Sequence, residues 1–180
     1  MQEEKHCYAV VRRLNSFAGM GKIKTAATMI SDAQNVFICG NGGDAILASH
    51  FAVDLMKFGR IAAWSLANDI AMTTMIANDF GYEQTFSYQL IKYATCNDLL
   101  ICLSTSGASP NILAAAKMAD DLGMKIIAII GARGAEQPQW QKCATVIIAP
   151  GEGPMEVEDM QHIICHAIAN ELRGREEARG

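Results

Sequence analysis

The sequence predicts an α/β fold in which a parallel β-sheet is covered by helices on both faces. Three observations predict it. Five short apolar runs, at 35–40, 61–67, 99–104, 125–130 and 145–150, are continuous rather than alternating, as strands buried on both sides are. Segments of helical patterning lie between them, and strand–helix alternation implies parallel pairing. With 51% hydrophobic and only 19% charged residues, a chain of 180 residues has enough apolar surface for one well-packed domain.

Taken in order, the first 17 residues open with acids and lack a continuous apolar core, so they read as a further helix rather than a secretory signal. A helix is expected at 20–33. The run "NVFICG" then leads into "CGNGGD" at 39–44. Gly40, Gly42 and Gly43 allow a tight turn and a close backbone approach to a ligand, and Asn41 can bond a hydroxyl or carbonyl oxygen. The same stretch also suits a plain strand-to-helix turn capped by Asp44. The helix expected at 44–58 is apolar nearly all round, which suits burial, including burial between subunits. His50 and Asp54 interrupt it four residues apart, on one helical face. They fit either a structural pair, with Lys57 also near Asp54, or a working one.

After the run 61–67 come helix candidates at 70–77 and 82–94. The run "LLICLS" then ends in four hydroxyl side chains within six residues: Ser104, Thr105, Ser106 and Ser109. No lysine or arginine follows until Lys117. Pro110 suits the first position of a helix at 109–122, with Ser109 at its N-cap. Hydroxyls, backbone N–H groups and a helix dipole together hold an anion without a cation. The loop lacks the "GK[ST]" of a triphosphate loop and the spacing of a dinucleotide turn, so no nucleotide cofactor is expected. It fits a single phosphate monoester; the alternative is a well-capped, hydroxyl-rich turn. The last helix, 155–173, carries Glu158, His162 and His166 at steps of four. Glu156 and Asp159 are first-turn acids that complement the dipole. Two helices bearing histidine and carboxylate suit either Zn²⁺ binding or acid–base work.

Several classes are disfavoured. A formal net charge of −4 without a basic run argues against nucleic acid, and no apolar stretch approaches the ~20 residues of a membrane span. Six scattered cysteines with no C-x-x-C pair, two of them (Cys39 and Cys102) in strand-like runs, read as reduced thiols of a cytoplasmic protein.

From about residue 20 to 173 the motifs "CGNGG", "HFAVDL", "IANDFG", "STSGASPN" and "HAIANEL" resemble the sugar isomerase (SIS) domain family, and within it the phosphoheptose isomerases. The resemblance implies a single SIS domain over 1–180 with a five-stranded, flavodoxin-like sheet. It also implies a homotetramer whose N-terminal segment takes part in packing and whose active sites lie between subunits. The implied reaction interconverts sedoheptulose 7-phosphate and D-glycero-D-manno-heptose 7-phosphate through an enediol. Ser104, Thr105, Ser106 and Ser109 would hold the phosphate. Asn41, with Gly42 and Gly43, would meet the sugar, and Asp69, Asn78 and Asp79 would lie at or near it. His166 matches the catalytic histidine and Asp54 the catalytic glutamate, one methylene shorter. His50, Asp54, Glu158 and His166 match positions that bind zinc in some members; Glu158 replaces a glutamine there. Asp44 replaces a serine that closes the first loop, and Met155 an aspartate, so the preferred sugar phosphate can differ. Some members are not enzymes and have lost the acid and the histidine; one of them binds the replication initiator. A sugar-phosphate sensor or a replication-initiator-associating regulator is therefore the alternative to an isomerase.

Overall fold

A computed structural model describes residues 2–178, with side chains from residue 5 onward. Five strands, β1 (Val36–Cys39), β2 (Ala63–Ser65), β3 (Leu99–Ser104), β4 (Lys125–Gly131) and β5 (Thr145–Ala149), form one sheet in the order β2-β1-β3-β4-β5. Every pairing is parallel. The five expected runs are these five strands. In β1 and β3 all residues are buried, which is why their sequences are continuously apolar.

The pleat divides these side chains between two cores. Val36, Ile38, Leu99, Ile101, Leu103, Ile127 and Ile129 face one layer, made by α2 (Met20–Ser31), α3 (Gly43–Gly59) and α7 (Pro154–Glu177). Phe37, Cys39, Leu100, Cys102, Ile126, Ala128 and Ile130 face the other, with α5 (Ser87–Tyr93) and α6 (Pro110–Asp121). The alternation is the period of two that a strand imposes. The buried thiol of Cys165 is pushed well up by desolvation, and that of Cys102 by its hydrogen bond to Cys39 and by burial. Both behave as core packing rather than as nucleophiles.

Helix α1 (Gln2–Asn15) lies against α7, where His6 meets Asp159 at 2.7 Å. Helix α4 (Ile70–Phe80) is longer than expected and stops at Gly81, whose φ of 92° no other residue adopts easily. The single helix expected at 82–94 is instead a 3₁₀ turn at Tyr82–Gln84 followed by α5. Thr85 bonds back to the carbonyl of Tyr82 and Phe86 turns into the core, so the chain bends between the two. Helix α7 runs past 173 to Glu177, held by the Arg175–Glu171 pair one turn apart.

Chain order reverses between β1 and β3. The helix after β1 packs on one face and the helix after β3 on the other. In open α/β sheets the crevice beyond such a switch point is where ligands bind. Both loops singled out in the sequence, 39–44 and 104–109, end strands at this crevice.

Candidate active site

The loop after β3 is a cup of hydroxyls. Ser104 Oγ lies 3.4 Å from both Ser106 Oγ and Ser109 Oγ, which are 3.5 Å from each other. These spacings are long for O–H···O bonds, and they leave three hydroxyls able to donate to one shared acceptor. Ser109 occupies the N-cap of α6, yet its side chain makes no capping bond. Its hydroxyl faces the other two instead, so the capped-turn alternative does not describe this loop. Gly107 and Ala108 donate their N–H groups to Ser104 Oγ and Ser106 Oγ, both at 3.1 Å. Gly107 has φ 66°, and Trp140 Nε1 donates to its carbonyl at 2.9 Å. The indole thus fixes the loop from the β4–β5 connection. A cleft of about 190 Å³ beside the loop is lined by Thr105, Ser106, Arg133 and Glu152, bringing in a cation that the local sequence lacks.

The loop after β1 is tied to α6 and to Tyr82 by side-chain hydrogen bonds. Asn41 forms a reciprocal amide pair with Asn111, donating to Asn111 Oδ1 at 2.8 Å and accepting from Asn111 Nδ2 at 2.9 Å. Tyr82 Oη also donates to Asn41 Oδ1, at 3.0 Å. Asn111 is buried and reaches Thr85 Oγ1. The network ties the two loops together across the switch point and orients Asn41. Gly42 adopts φ 57°, and a β-carbon at Gly43 would run into the carboxylate of Glu158. Conformation favours glycine at 42, whereas a β-carbon at 43 would meet only the end of the flexible Glu158 side chain, which can move aside.

Asp44 sits at the start of α3, 5% exposed. Its Oδ2 accepts the N–H of Thr105 at 3.1 Å, and its Oδ1 has no partner. Burial pushes its carboxyl up to about 6, helped by nearby Glu158 and opposed by the Thr105 N–H. One backbone donor of the hydroxyl-rich loop after β3 is therefore already engaged by a carboxylate.

Further along α3 and α7 lies a second cluster. Asp54, 8% exposed, is 3.5 Å from His50 Nε2 and 3.6 Å from His166 Nε2. The two imidazole nitrogens are 2.9 Å apart. His162 completes the group: ligating atoms of His50, His162 and His166 all lie within 4.8 Å of one another. Burial, then the neighbouring rings of His166 and His50, hold His162 below its ordinary value. Gln161, fully buried on α7, donates to the carbonyl of Ile129 at 2.8 Å and so fixes these rings relative to the sheet. A cleft of about 490 Å³ opens beside His50, Asp54 and His166, with Phe58, Asn170 and Arg173.

Donors on a tetrahedral Zn²⁺, bonded at 2.0–2.1 Å, stand about 3.3 Å apart. The edges of 2.9, 3.5 and 3.6 Å among His50, His166 and Asp54 fit that requirement. Glu158 is turned toward Gly43 and Asp44. The remaining residues lie at the rim. Asp69 caps α4 by accepting the N–H of Met72 at 2.9 Å, and it borders a cleft of about 720 Å³ with Trp64 and Tyr93. Asn78 donates to Asp79 at 2.7 Å in the exposed last turn of α4.

Comparison with known proteins follows the same lines. The SIS domain model matches residues 7–131. A phosphoheptose isomerase of Helicobacter pylori strain P12 is 36% identical, over 91% of this chain and 90% of its own. One from Aliarcobacter butzleri is 35% identical over 83% and 82%. Among solved structures, a phosphoheptose isomerase from Neisseria gonorrhoeae superposes with a TM-score of 0.88 at 25% identity, covering 96% of this chain and 97% of that one. One from Francisella tularensis gives 0.83 at 28%, covering 95% and 94%. With its hydroxyl cup and its acid–histidine cluster at the expected places in the fold, the chain belongs to the SIS domain family and, within it, to the phosphoheptose isomerases.

Proposed function

We propose that this protein is an aldose–ketose isomerase of sugar phosphates, with sedoheptulose 7-phosphate as substrate and the aldoheptose 7-phosphate as product. The observation that carries the reading is Asp54, buried between two imidazoles on facing helices. Isomerisation needs one group that accepts the proton alpha to the carbonyl and one that serves the two oxygens as the enediol forms and collapses. A carboxylate in a partly desolvated site suits the first role, and an imidazole, which can both give and accept a proton, suits the second. Asp54 and His166 take these roles, 3.6 Å apart. Ser104, Ser106 and Ser109 donate to the phosphate, and Thr105, Asn41 and the backbone at Gly42 and Gly43 line the crevice between. A metal held by the imidazoles and Asp54 would polarise the carbonyl and enediolate oxygens when bound.

The site is shared between copies in this reading. The phosphate loop touches α3 at Asp44, and Asp54 lies ten residues on, about 15 Å along the helix axis. An extended heptose phosphate reaches ~10 Å from phosphorus to C1 at ordinary bond lengths. Pairing the phosphate cup of one copy with the acid–histidine pair of another relieves that mismatch. Exposed apolar side chains support an assembly: Ile46, Val53 and Met56 on α3, and Tyr8, Val11 and Leu14 on α1. We take the assembly to be a homotetramer and the compartment to be the cytoplasm. The six cysteines are all free, and no described helix is long and apolar enough to cross a membrane.

The test is substitution of the pair. His166→Ala and Asp54→Asn should each abolish turnover while sugar-phosphate affinity, measured by calorimetry, stays within a few-fold. Full turnover in His166→Ala would overturn the assignment. Tight binding without turnover in the unaltered protein would favour the non-catalytic sensor.

A further inference from the structure

We propose, on the reading of the hydroxyl cup as a phosphate site, that Arg133 is a further phosphate-binding residue of this chain. Its guanidinium supplies, from the β4 side, the positive charge that the loop after β3 lacks and that Asp44 makes necessary. Strand order places loop 104–109 between the end of β1 and the end of β4. From the β1 side comes Asp44, whose carboxylate takes the Thr105 N–H. From the β4 side comes a 3₁₀ turn, Ala132–Gly134, which carries Arg133. Ser104 pairs in register with Ile130, so this turn leaves the sheet beside the cup. The two segments meet backbone to backbone. A β-carbon at Gly131 would stand 2.0 Å from the carbonyl oxygen of Thr105, and one at Gly134 would stand 2.4 Å from the carbonyl carbon of Gly107. Together with the Trp140 bond to the Gly107 carbonyl, this contact fixes where the Arg133 side chain starts. Arg133 then lines one cleft with Thr105 and Ser106.

The charges around the cup give that cation its role. The serine and threonine hydroxyls are neutral, and a helix N-terminus contributes about half a positive charge. A phosphate monoester brings about two negative charges at neutral pH. Asp44, with Glu158 near it, adds negative charge on the β1 side. Glu152 borders the cleft but is paired with Arg13. Arg60, Arg173 and Arg175 also have carboxylate partners, whereas no described carboxylate pairs with Arg133. Its side chain is exposed and free to turn toward an anion in the cup, where a guanidinium offers a fork of N–H donors. Without Arg133, a phosphate would enter a site whose own carboxylate repels it.

The test is calorimetry of sedoheptulose 7-phosphate binding to the full chain at low and at high salt, with melting temperatures measured alongside. Arg133→Gln should lose about tenfold in affinity at low salt, as expected for a lost charge-assisted hydrogen bond. Its affinity should also depend less on salt than that of the unaltered protein. Arg133→Lys keeps the charge and should stay within about threefold, with the salt dependence retained. Both variants should melt like the unaltered protein, because the side chain is exposed and unpaired. Adding Asp44→Asn to Arg133→Gln should recover about fivefold of the loss, the effect of removing one repelling charge ~4 Å away. Undiminished affinity in Arg133→Gln would overturn the proposal. So would an equal loss in Arg133→Lys, or a loss with unchanged salt dependence, since either marks the shape of the turn and not a charge on the phosphate. If Arg133→Gln binds undiminished while Ser106→Ala/Ser109→Ala binds weakly, Arg133 alone is wrong; if neither weakens binding, the phosphate reading of the cup falls with it.

Discussion

Replacing Asp44 with asparagine should stabilise this protein at neutral pH and leave it nearly unchanged in acid. The carboxyl is buried, one of its oxygens has no partner, and Glu158 faces it; these conditions push it up to about 6. In the unfolded chain an aspartate titrates near ~3.9. Because the folded value is the higher one, the native state binds the extra proton between about pH 4 and 6. The associated stability is present in full below the unfolded value and is lost as pH rises through the folded one. At 1.36 kcal/mol per pKa unit, the charged form costs roughly 3 kcal/mol above pH 7. Asparagine keeps the size and an oxygen for the Thr105 N–H but carries no charge. Urea denaturation at fixed protein concentration should show a gain of up to roughly 3 kcal/mol at pH 7.5. In a chain of this length that is a rise of roughly 6–12 °C in melting temperature. At pH 4 the gain should fall below about 0.5 kcal/mol. Equal stabilities at pH 7.5, or a difference that does not change with pH, would refute the reasoning.

Other outcomes follow from the same geometry. Removing the Asp44 charge beside the phosphate loop should also tighten sugar-phosphate binding, by about 1 kcal/mol if the charges stand ~4 Å apart in water; weaker binding would place the phosphate elsewhere. Ser106→Ala and Ser109→Ala should each weaken binding by roughly 1–3 kcal/mol, the range for hydrogen bonds to a charged group, and unchanged affinity in the double variant would contradict the cup. Light scattering at micromolar concentration should give a multiple of 19.4 kDa, and a monomer would contradict the shared site. In mixed assemblies of Ser106→Ala/Ser109→Ala with His166→Ala chains, activity should exceed that of either parent, because some sites then receive an intact cup and an intact histidine; parental levels only would place both halves in one chain.

The strands and the hydroxyl-rich loop were legible because their signals are local. Continuous apolar runs mark strands covered on both faces, and Ser104 to Ser109 occupy six consecutive positions between a strand and a helix. The parts that escaped depend on residues far apart in the chain. Asn111 appears in its motif as an ordinary first-turn residue, and only its pairing with Asn41, 70 positions away, shows what it does. Asp44 has the sequence signature of a helix cap, while its carboxylate accepts the N–H of Thr105, 61 residues on. His162 and Glu158 share one stripe of α7, so spacing could not say which belongs with His50; the packing of α3 against α7 separates them. The break at Thr85 and Phe86 has no local signal, because helical propensity continues through it while Phe86 is buried in the core.

The most direct measurement of the central claim is proton NMR of sedoheptulose 7-phosphate incubated with the purified, unaltered protein. The account expects the aldoheptose 7-phosphate to accumulate to a constant ratio with the ketose, at a rate proportional to protein concentration, and to be absent when His166→Ala replaces the unaltered chain. A ketose phosphate that binds but stays unconverted, or conversion that persists undiminished in His166→Ala, would contradict it.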